Sequence, residues 1–248
     1  MALKETYEKQ GAFLFRWRSY LPLLAAPLVI AAFLDPHYAS HAFRGSASDL
    51  WELFCILVSL TGLGIRCLVA GYVPEGTSGR NTLTQAADVL NTRGMYSLVR
   101  NPLYLGNFLI ILGLLLFTQV WWFCAAGAAI FWIFYERIIY TEEEFLRQKF
   151  GTAFTSWALK TPVFIPKLSG WQRPALPYAW KTVLRREHST QFGVVSALSV
   201  LGVTADLLTV PGHKVAPGWW VFWGISLFLY LVLRFMKKKT RILDMAGR

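Results

Sequence analysis

Charge is scarce in this chain. Asp, Glu, Lys and Arg make up only 16% of its 248 residues, where soluble domains carry about 25%. The acidic sign is the scarcer, with 14 carboxylates against 25 Lys and Arg and a net charge of +11. Cysteine is scarcer still. Cys55, Cys67 and Cys124 all lie in apolar segments and form no CxxC pair, which argues against a disulfide framework or a zinc ribbon and leaves packing thiols. No GxGxxG occurs, so nothing signals a soluble dinucleotide-binding domain. GTSGRN, beginning at Gly76, resembles an anion nest but lacks the spacing and Lys-Ser/Thr ending of a phosphate loop. His37 and His41 stand four apart, but Pro36 and the following GSAS read as loop, and no Cys or carboxylate set joins them. No metal site is expected. The first apolar run lacks a small-residue cleavage site and reads as a retained span. No internal repeat is visible.

What the chain does have is long apolar runs. Hydrophobic residues make up 55% of it. Four blocks are clear, Leu21–Leu34, Leu50–Tyr72, Leu103–Tyr135 and Trp219–Phe235, with a weaker one at Phe192–Val210. The third holds 33 residues without Asp, Glu, Lys or Arg. As one helix it would extend about 50 Å, too long for a hydrocarbon core of roughly 30 Å. A break near Thr118-Gln119 makes it a helical hairpin with short arms, which predicts tilt or local thinning of the bilayer. The expected fold is all-α, a single polytopic bundle of about six transmembrane helices over residues 1–248. Within it, residues 1–72 supply an amphipathic lead-in and two spans. Residues 73–167 carry the core motifs, residues 168–191 an interfacial loop, and residues 192–248 two further spans and a basic tail.

The cations sort by side. Threaded through six spans, 23 of the 25 Lys and Arg fall on one face, and only Arg44 and Lys214 on the other. The positive-inside rule makes the crowded face cytoplasmic, with both termini there. The expected location is a bacterial inner membrane. Such a face attracts anionic headgroups, and this distribution argues against a nucleic-acid partner. Trp157, Trp171 and Trp180 are expected in the interfacial belt. TLTQAADVL, from Thr82, reads as a short helix capped by Thr82 or Thr84.

Polar chemistry gathers at both edges of the uncharged block. Arg100, Asn101, Pro102, Tyr104 and Asn107 fall within eight positions. Asn is a favoured N-cap and Pro fits the first helical position, so Asn101-Pro102 predicts a helix start. Its positive pole and free N–H groups suit a carboxylate or phosphate, as does the forked cation of Arg100. Tyr104 and Asn107 share a helix face. An Asn in an apolar helix is costly unless it meets the protein interior or a polar cavity. A capped helix with one interhelical hydrogen bond explains the same residues without a ligand. Past the block come Glu136, Arg137 and then Glu142, Glu143 and Glu144. Three consecutive helical residues sweep about 200°, so they cannot all face one site. Glu143 with Arg147 is one expected surface pair.

Together these segments resemble the isoprenylcysteine carboxyl methyltransferase and phospholipid methyltransferase superfamily. Gly94, Tyr96, Arg100, Pro102, Tyr104 and Gly106 fit its Gly-x-Tyr…Arg-His-Pro-x-Tyr-x-Gly motif. Glu142-Glu143 stand where the family has its Glu pair, Glu143 eight residues before Gly151. The likeness spans roughly residues 50–167. It implies an integral membrane methyltransferase that uses S-adenosylmethionine. It implies cofactor contacts from Gly94, Tyr96, Ser97, Leu98, Arg100, Asn101, Pro102, Tyr104, Asn107, Glu142 and Glu143. A lipid or isoprenoid-like acceptor would come from the bilayer, with Arg137 and Lys160 meeting an anionic headgroup and Arg100 assisting. Two departures stand out. Asn101 replaces the family His, and Lys160 replaces an Arg associated with substrate carboxylate in the prenylcysteine enzymes. Alternatives are a prenylcysteine or small-thiol methyltransferase, and a nicotinamide-dependent reductase resembling the sterol reductases. A transporter is disfavoured, because the polar residues collect at one face rather than at midplane.

Overall fold

A computed structural model of the chain describes residues 3–17, 29, 32–33, 46–74, 76, 87–209, 212 and 214–247. Most of the Leu21–Leu34 block, His37, His41, most of GTSGRN and the proposed caps Thr82 and Thr84 lie outside the described residues. The described elements are all helical: α1 (Leu3–Trp17), α2 (Ser46–Tyr72), α3 (Met95–Leu98), α4 (Pro102–Phe117), α5 (Trp121–Phe150), α6 (Thr152–Ala158), a single 3-10 turn (Leu168–Gly170), α7 (Trp180–Thr209) and α8 (Pro217–Lys239).

Four of these, α2, α5, α7 and α8, are long and apolar enough to cross a membrane, and α4 is a shorter apolar helix. The chain is therefore an integral membrane protein with a polytopic helical bundle. Large apolar side chains face outward along the spans, among them Phe54 and Leu57 on α2 and Trp220, Ile225 and Phe228 on α8. In water such a surface would aggregate, whereas in hydrocarbon it is the solvated face.

The uncharged block breaks where expected. α4 stops at Phe117, and Gln119 takes a positive φ of 56° before α5 begins. At 16 residues, α4 extends about 24 Å, a short arm as anticipated. Two elements run further than hydropathy suggests. α5 continues without interruption to Phe150, and α7 starts at Trp180, not near Phe192. Both extensions are polar, so a hydropathy reading ends them early although the backbone ladder does not.

α2 and α4 cross closely through small residues. A Cβ on Gly106 would lie 2.8 Å from the Gly62 carbonyl oxygen, and one on Gly113 would lie 2.2 Å from Ser59 Oγ. Ser59 Oγ then donates to the Ile110 carbonyl at 3.1 Å. Close backbone approach with small residues is the usual way to pack helices where lipid removes the hydrophobic drive. It gives the motif glycine Gly106 a packing role. A buried apolar cluster joins this crossing to α5 and α7 through Leu63, Ile110, Phe123, Val194 and Leu198, and takes in Ala32 and Phe33 from the first block.

α1 lies along the polar half of α5. Gly11 abuts the Arg137 carbonyl and Thr141, while Leu14 and Phe15 join Tyr104, Ile138 and Ile139 in a second buried cluster. The lead-in is thus part of the bundle beside the polar motifs.

Candidate functional site

The motif segment is held rigidly before any ligand is considered. Gly94 has φ 60° and ψ −133°, a backbone that only glycine adopts at little cost. Its N–H donates to the Gln172 carbonyl at 3.0 Å. Ser97 Oγ donates to the Gly94 carbonyl at 2.7 Å and accepts from the Gln172 N–H at 2.9 Å. The Trp157 indole donates to the Tyr96 carbonyl at 3.1 Å, and Lys167 N–H to the Leu98 carbonyl at 2.9 Å. Ser97 and Leu98 are thus buried struts tying the segment to residues 157–172. Trp157 serves the same strut, while Trp171 and Trp180 are exposed as belt residues would be.

α4 begins at Pro102 in the first helical position, as the sequence predicts. The Asn101 carbonyl accepts from Tyr104 and Leu105 N–H. The Asn101 side chain, however, does not cap the helix. Its Nδ2 donates instead to the Val163 carbonyl at 3.2 Å. The Arg100 N–H makes a parallel bond to the Pro162 carbonyl at 2.8 Å. The side chain therefore fixes the helix start to the loop after α6, where a cap would have fixed it only to itself.

The carboxylate cluster divides as its helical sweep requires. Glu142 Oε1 accepts from the Tyr104 hydroxyl at 2.7 Å. Glu143 Oε2 pairs with Arg100 Nη1 at 2.9 Å. Glu144 is as sheltered as Glu143, but it points to exposed Arg147 at 3.9 Å, so the pair with Arg147 is made by Glu144 and not by Glu143. Arg100 and Glu143 are each only 16% exposed. Inside this pair, Arg100 Nε and Glu143 Oε1 are buried without a hydrogen-bond partner. Buried polar atoms are seldom left unmatched, and an unmatched one calls for a functional or solvent explanation. Here a donor on a cation and an acceptor on a carboxylate are left open together.

Tyr96 belongs to the same neighbourhood. Burial, reinforced by the Glu142 carboxylate and opposed by Arg186, pushes its phenol well above the ordinary value. It therefore remains a neutral hydrogen-bonding group. Asn107 satisfies its polar ends inside the bundle. Its Oδ1 accepts from Arg66 Nη1 at 2.6 Å, and its Nδ2 donates to the Tyr135 hydroxyl at 3.2 Å. The Tyr135 ring meets Tyr104 edge-on at 4.9 Å.

An open cleft of about 590 Å³ begins at Arg100 and runs along residues 158–167. It brings exposed Lys160 and Lys167 to the same opening as Arg100. Arg137 is placed elsewhere. Its Nε donates to Gln10 on α1 at 2.7 Å, and its guanidinium lies 5.2 Å from the Tyr7 ring centre. Of the residues singled out in sequence, the structure joins Tyr96, Arg100, Asn101, Tyr104, Glu142 and Glu143 into one group with Lys160 at its mouth, and it leaves Arg137 on the α1 side. It adds Arg66, Tyr135, Lys167 and Glu187. Only Arg66 left a clear trace in sequence, as an ionisable residue inside an apolar block. Among the described residues, no three or more His, Cys, Asp and Glu side chains converge as a metal cluster.

An all-helical membrane bundle with a buried ionic group at one end of a short helical hairpin defines the class. The family follows from comparison with known proteins. The phospholipid methyltransferase family matches residues 54–153, which include α4, α5, Tyr96, Arg100, Asn101, Tyr104, Glu142 and Glu143, but not Lys160, Lys167 or Glu187. The chain is 38% identical over 133 residues to the cobalt-zinc-cadmium resistance protein CzcN of Cupriavidus metallidurans, covering 53% of this chain and 59% of that protein. It is 30% identical over 166 residues to the nickel-cobalt-cadmium resistance protein NccN of Alcaligenes xylosoxydans xylosoxydans, covering 61% of this chain and 75% of that one. No solved structure matches significantly. The chain belongs to the phospholipid methyltransferase family, within the superfamily of membrane methyltransferases whose members generally use S-adenosylmethionine.

Proposed function

We propose that this protein transfers a methyl group from S-adenosylmethionine to a lipid-like acceptor with an anionic headgroup. The observation that carries the reading is the half-open ion pair. Arg100 keeps one buried donor and Glu143 one buried acceptor unmatched. An amino acid end, carrying a carboxylate and an ammonium, matches such a pair, because each charge finds its opposite without a further buried group being left over. S-adenosylmethionine has that end, and when bound it supplies an electrophilic methyl on a sulfonium.

The chain's own work is binding and alignment. Arg100 would take the carboxylate and Glu143 the ammonium. Glu142, held by the Tyr104 hydroxyl, would add negative charge where the cofactor is cationic and offer an acceptor to its hydroxyls. Neutral Tyr96 would contribute a hydrogen bond at the wall. Transfer by direct displacement then depends chiefly on holding acceptor, methyl and leaving sulfur in line, an effect worth several kcal/mol, up to about 7–11. Lys160 and Lys167 at the cleft mouth would receive the acceptor's anionic headgroup. The basic face lies toward the cytoplasm of the inner membrane in this reading, with both termini on that side. The relatives carry the names of resistance proteins for cobalt, zinc, cadmium and nickel. In this reading the chain's part in such resistance would be methylation of a membrane lipid, with no metal bound to the chain itself.

The test is calorimetry on detergent-purified full-length protein with S-adenosylhomocysteine, using NADPH as the control ligand. Saturable binding of the former alone supports the methyltransferase reading. Label from methyl-labelled cofactor should then appear in the lipid fraction. Binding of NADPH alone would overturn the reading in favour of a reductase of related fold.

A further inference from the structure

The family match ends at residue 153, yet one ionic contact reaches back from α7 into the matched core. Arg66 on α2 grips Glu187 on α7 with two parallel bonds, Nε to Oε2 at 2.9 Å and Nη2 to Oε1 at 3.0 Å. The side chains are 15% and 8% exposed. A buried forked pair of this kind is held in one geometry, and removing one partner leaves the other uncompensated. Arg66 spends its remaining Nη1 on Asn107 Oδ1 at 2.6 Å. That bond sets which way the Asn107 amide faces, so that Nδ2 points at the Tyr135 hydroxyl at 3.2 Å. Tyr135 is further fixed by stacking on Phe131 at 4.0 Å. Its ring edge abuts Tyr104 at 4.9 Å, and the Tyr104 hydroxyl holds Glu142 at 2.7 Å. An unbroken series of contacts thus runs from α7 through α2, α4 and α5 to one of the two inward carboxylates. Arg186, next to Glu187, also lies close enough to Tyr96 for its charge to act on that phenol.

We propose that Arg66 and Glu187 are a positioning pair for the methyl-donor pocket: through Asn107, Tyr135 and Tyr104 they set the placement of the Glu142 carboxylate, making α7 a working part of the site. This inference rests on the methyltransferase reading. It assigns the pair no contact with cofactor or acceptor. A rotated Asn107 amide would present its oxygen to Tyr135, turn the phenol and move the edge against which Tyr104 is packed. Contact networks of this type transmit coupling when their members have discrete alternative arrangements, and the amide of Asn107 has two.

The experiment measures the dissociation constant of S-adenosylhomocysteine and the thermal midpoint on full-length protein. The variants are Arg66→Met, Glu187→Gln, Tyr104→Phe and each of the first two combined with Tyr104→Phe. Arg66→Met and Glu187→Gln should each weaken binding by roughly tenfold in the intact background, and by less than about twofold once Tyr104→Phe has already removed the Tyr104–Glu142 bond. Arg66→Lys, which keeps the charge but not the fork, should recover part of the loss. A purely structural pair would lower the thermal midpoint and leave the affinity of the folded protein unchanged. That result, or fully additive losses in the double variants, would overturn the proposal. Should Arg66→Met fail to fold, Glu187→Gln, which keeps size and hydrogen-bonding shape, carries the same comparison. Wild-type protein that binds no S-adenosylhomocysteine would remove the methyltransferase reading and this inference together. Wild-type binding with unaltered affinity in both variants would remove this inference alone.

Discussion

The α4–α5 hairpin has two ends, and they treat their polar atoms in opposite ways. At the turn, Thr118 is fully buried. Its hydroxyl donates to the Leu115 carbonyl at 2.7 Å and faces the Val120 N–H at 3.4 Å. The Cys124 thiol reaches the same Leu115 carbonyl at 3.1 Å, and the Trp51 indole takes the Leu116 carbonyl at 3.0 Å. At the other end, Arg100 and Glu143 form a buried pair and still leave Nε and Oε1 unmatched. Both ends solve the same problem, terminating an apolar helix. The turn closes its backbone with neutral bonds, local ones from Thr118 and Cys124 and one from Trp51 on α2. The basic end uses charges that are costlier to bury and does not finish satisfying them. That surplus separates a site from a structural joint.

Removing half of the pair should have the largest effect. Arg100→Met leaves Glu143 buried without its cation, at a cost of about 3–5 kcal/mol in stability. S-adenosylhomocysteine affinity should fall by at least about 100-fold, because a charged partner is lost from a desolvated pair. Calorimetry with parallel thermal melts checks both, and unchanged affinity would remove Arg100 from the site. Next comes Tyr104→Phe, which keeps the ring packing against Tyr135 and deletes the bond to Glu142. Affinity should drop about tenfold, as for loss of a hydrogen bond to a charged group. At the turn, Thr118→Val is the counterpart. It should lower stability by about 1 kcal/mol and leave cofactor affinity unchanged. If Thr118→Val weakened binding as much as Tyr104→Phe, the two ends would not be functionally distinct.

Lys160→Met addresses the mouth of the cleft. Lys160 is exposed there, so folding should not notice its loss. Affinity for S-adenosylhomocysteine should stay the same, and the apparent KM for an anionic lipid acceptor should rise by about threefold to tenfold, since an exposed headgroup contact in water is worth little. Titration of methyl transfer against vesicles of increasing anionic lipid content reads it.

How far the sequence carried can be seen at individual residues. The break at Thr118-Gln119 was legible because a 33-residue uncharged run cannot cross a bilayer as one helix. The start at Asn101-Pro102 was legible from local chemistry. The use of the Asn101 side chain was not, because its partner, Val163, lies 62 residues away. The three glutamates were known to diverge, but only tertiary packing decides that Glu143 meets Arg100, 43 residues distant. Arg66–Glu187 joins residues 121 apart, beyond the reach of any spacing rule. Hydropathy starts α7 too late because its first three turns carry Lys181, Arg185, Arg186 and Glu187, which read as loop, whereas the structure shows a helix with Thr182, Val183 and His188 buried.

The smallest expected effect concerns Asn101, where the family has His. Asn101 holds the Val163 carbonyl through Nδ2, and the same amide faces the Glu143 carboxylate and favours its ionised form. A neutral imidazole also has one N–H donor, so Asn101→His can keep the strut, and affinity for S-adenosylhomocysteine near pH 8 should change by less than about threefold. The difference should emerge on acidification. Asn does not titrate, whereas His gains a proton below about pH 6.5. An imidazolium beside Glu143 would compete for the carboxylate oxygen that Arg100 leaves open. The His variant should therefore lose affinity more steeply than wild type between about pH 7 and 5.5, measured by calorimetry in one buffer system across that range. Parallel curves would mean that position 101 acts only as a strut. A steeper His curve would place it at the open side of the ion pair, where Asn keeps cofactor binding independent of a second titrating group.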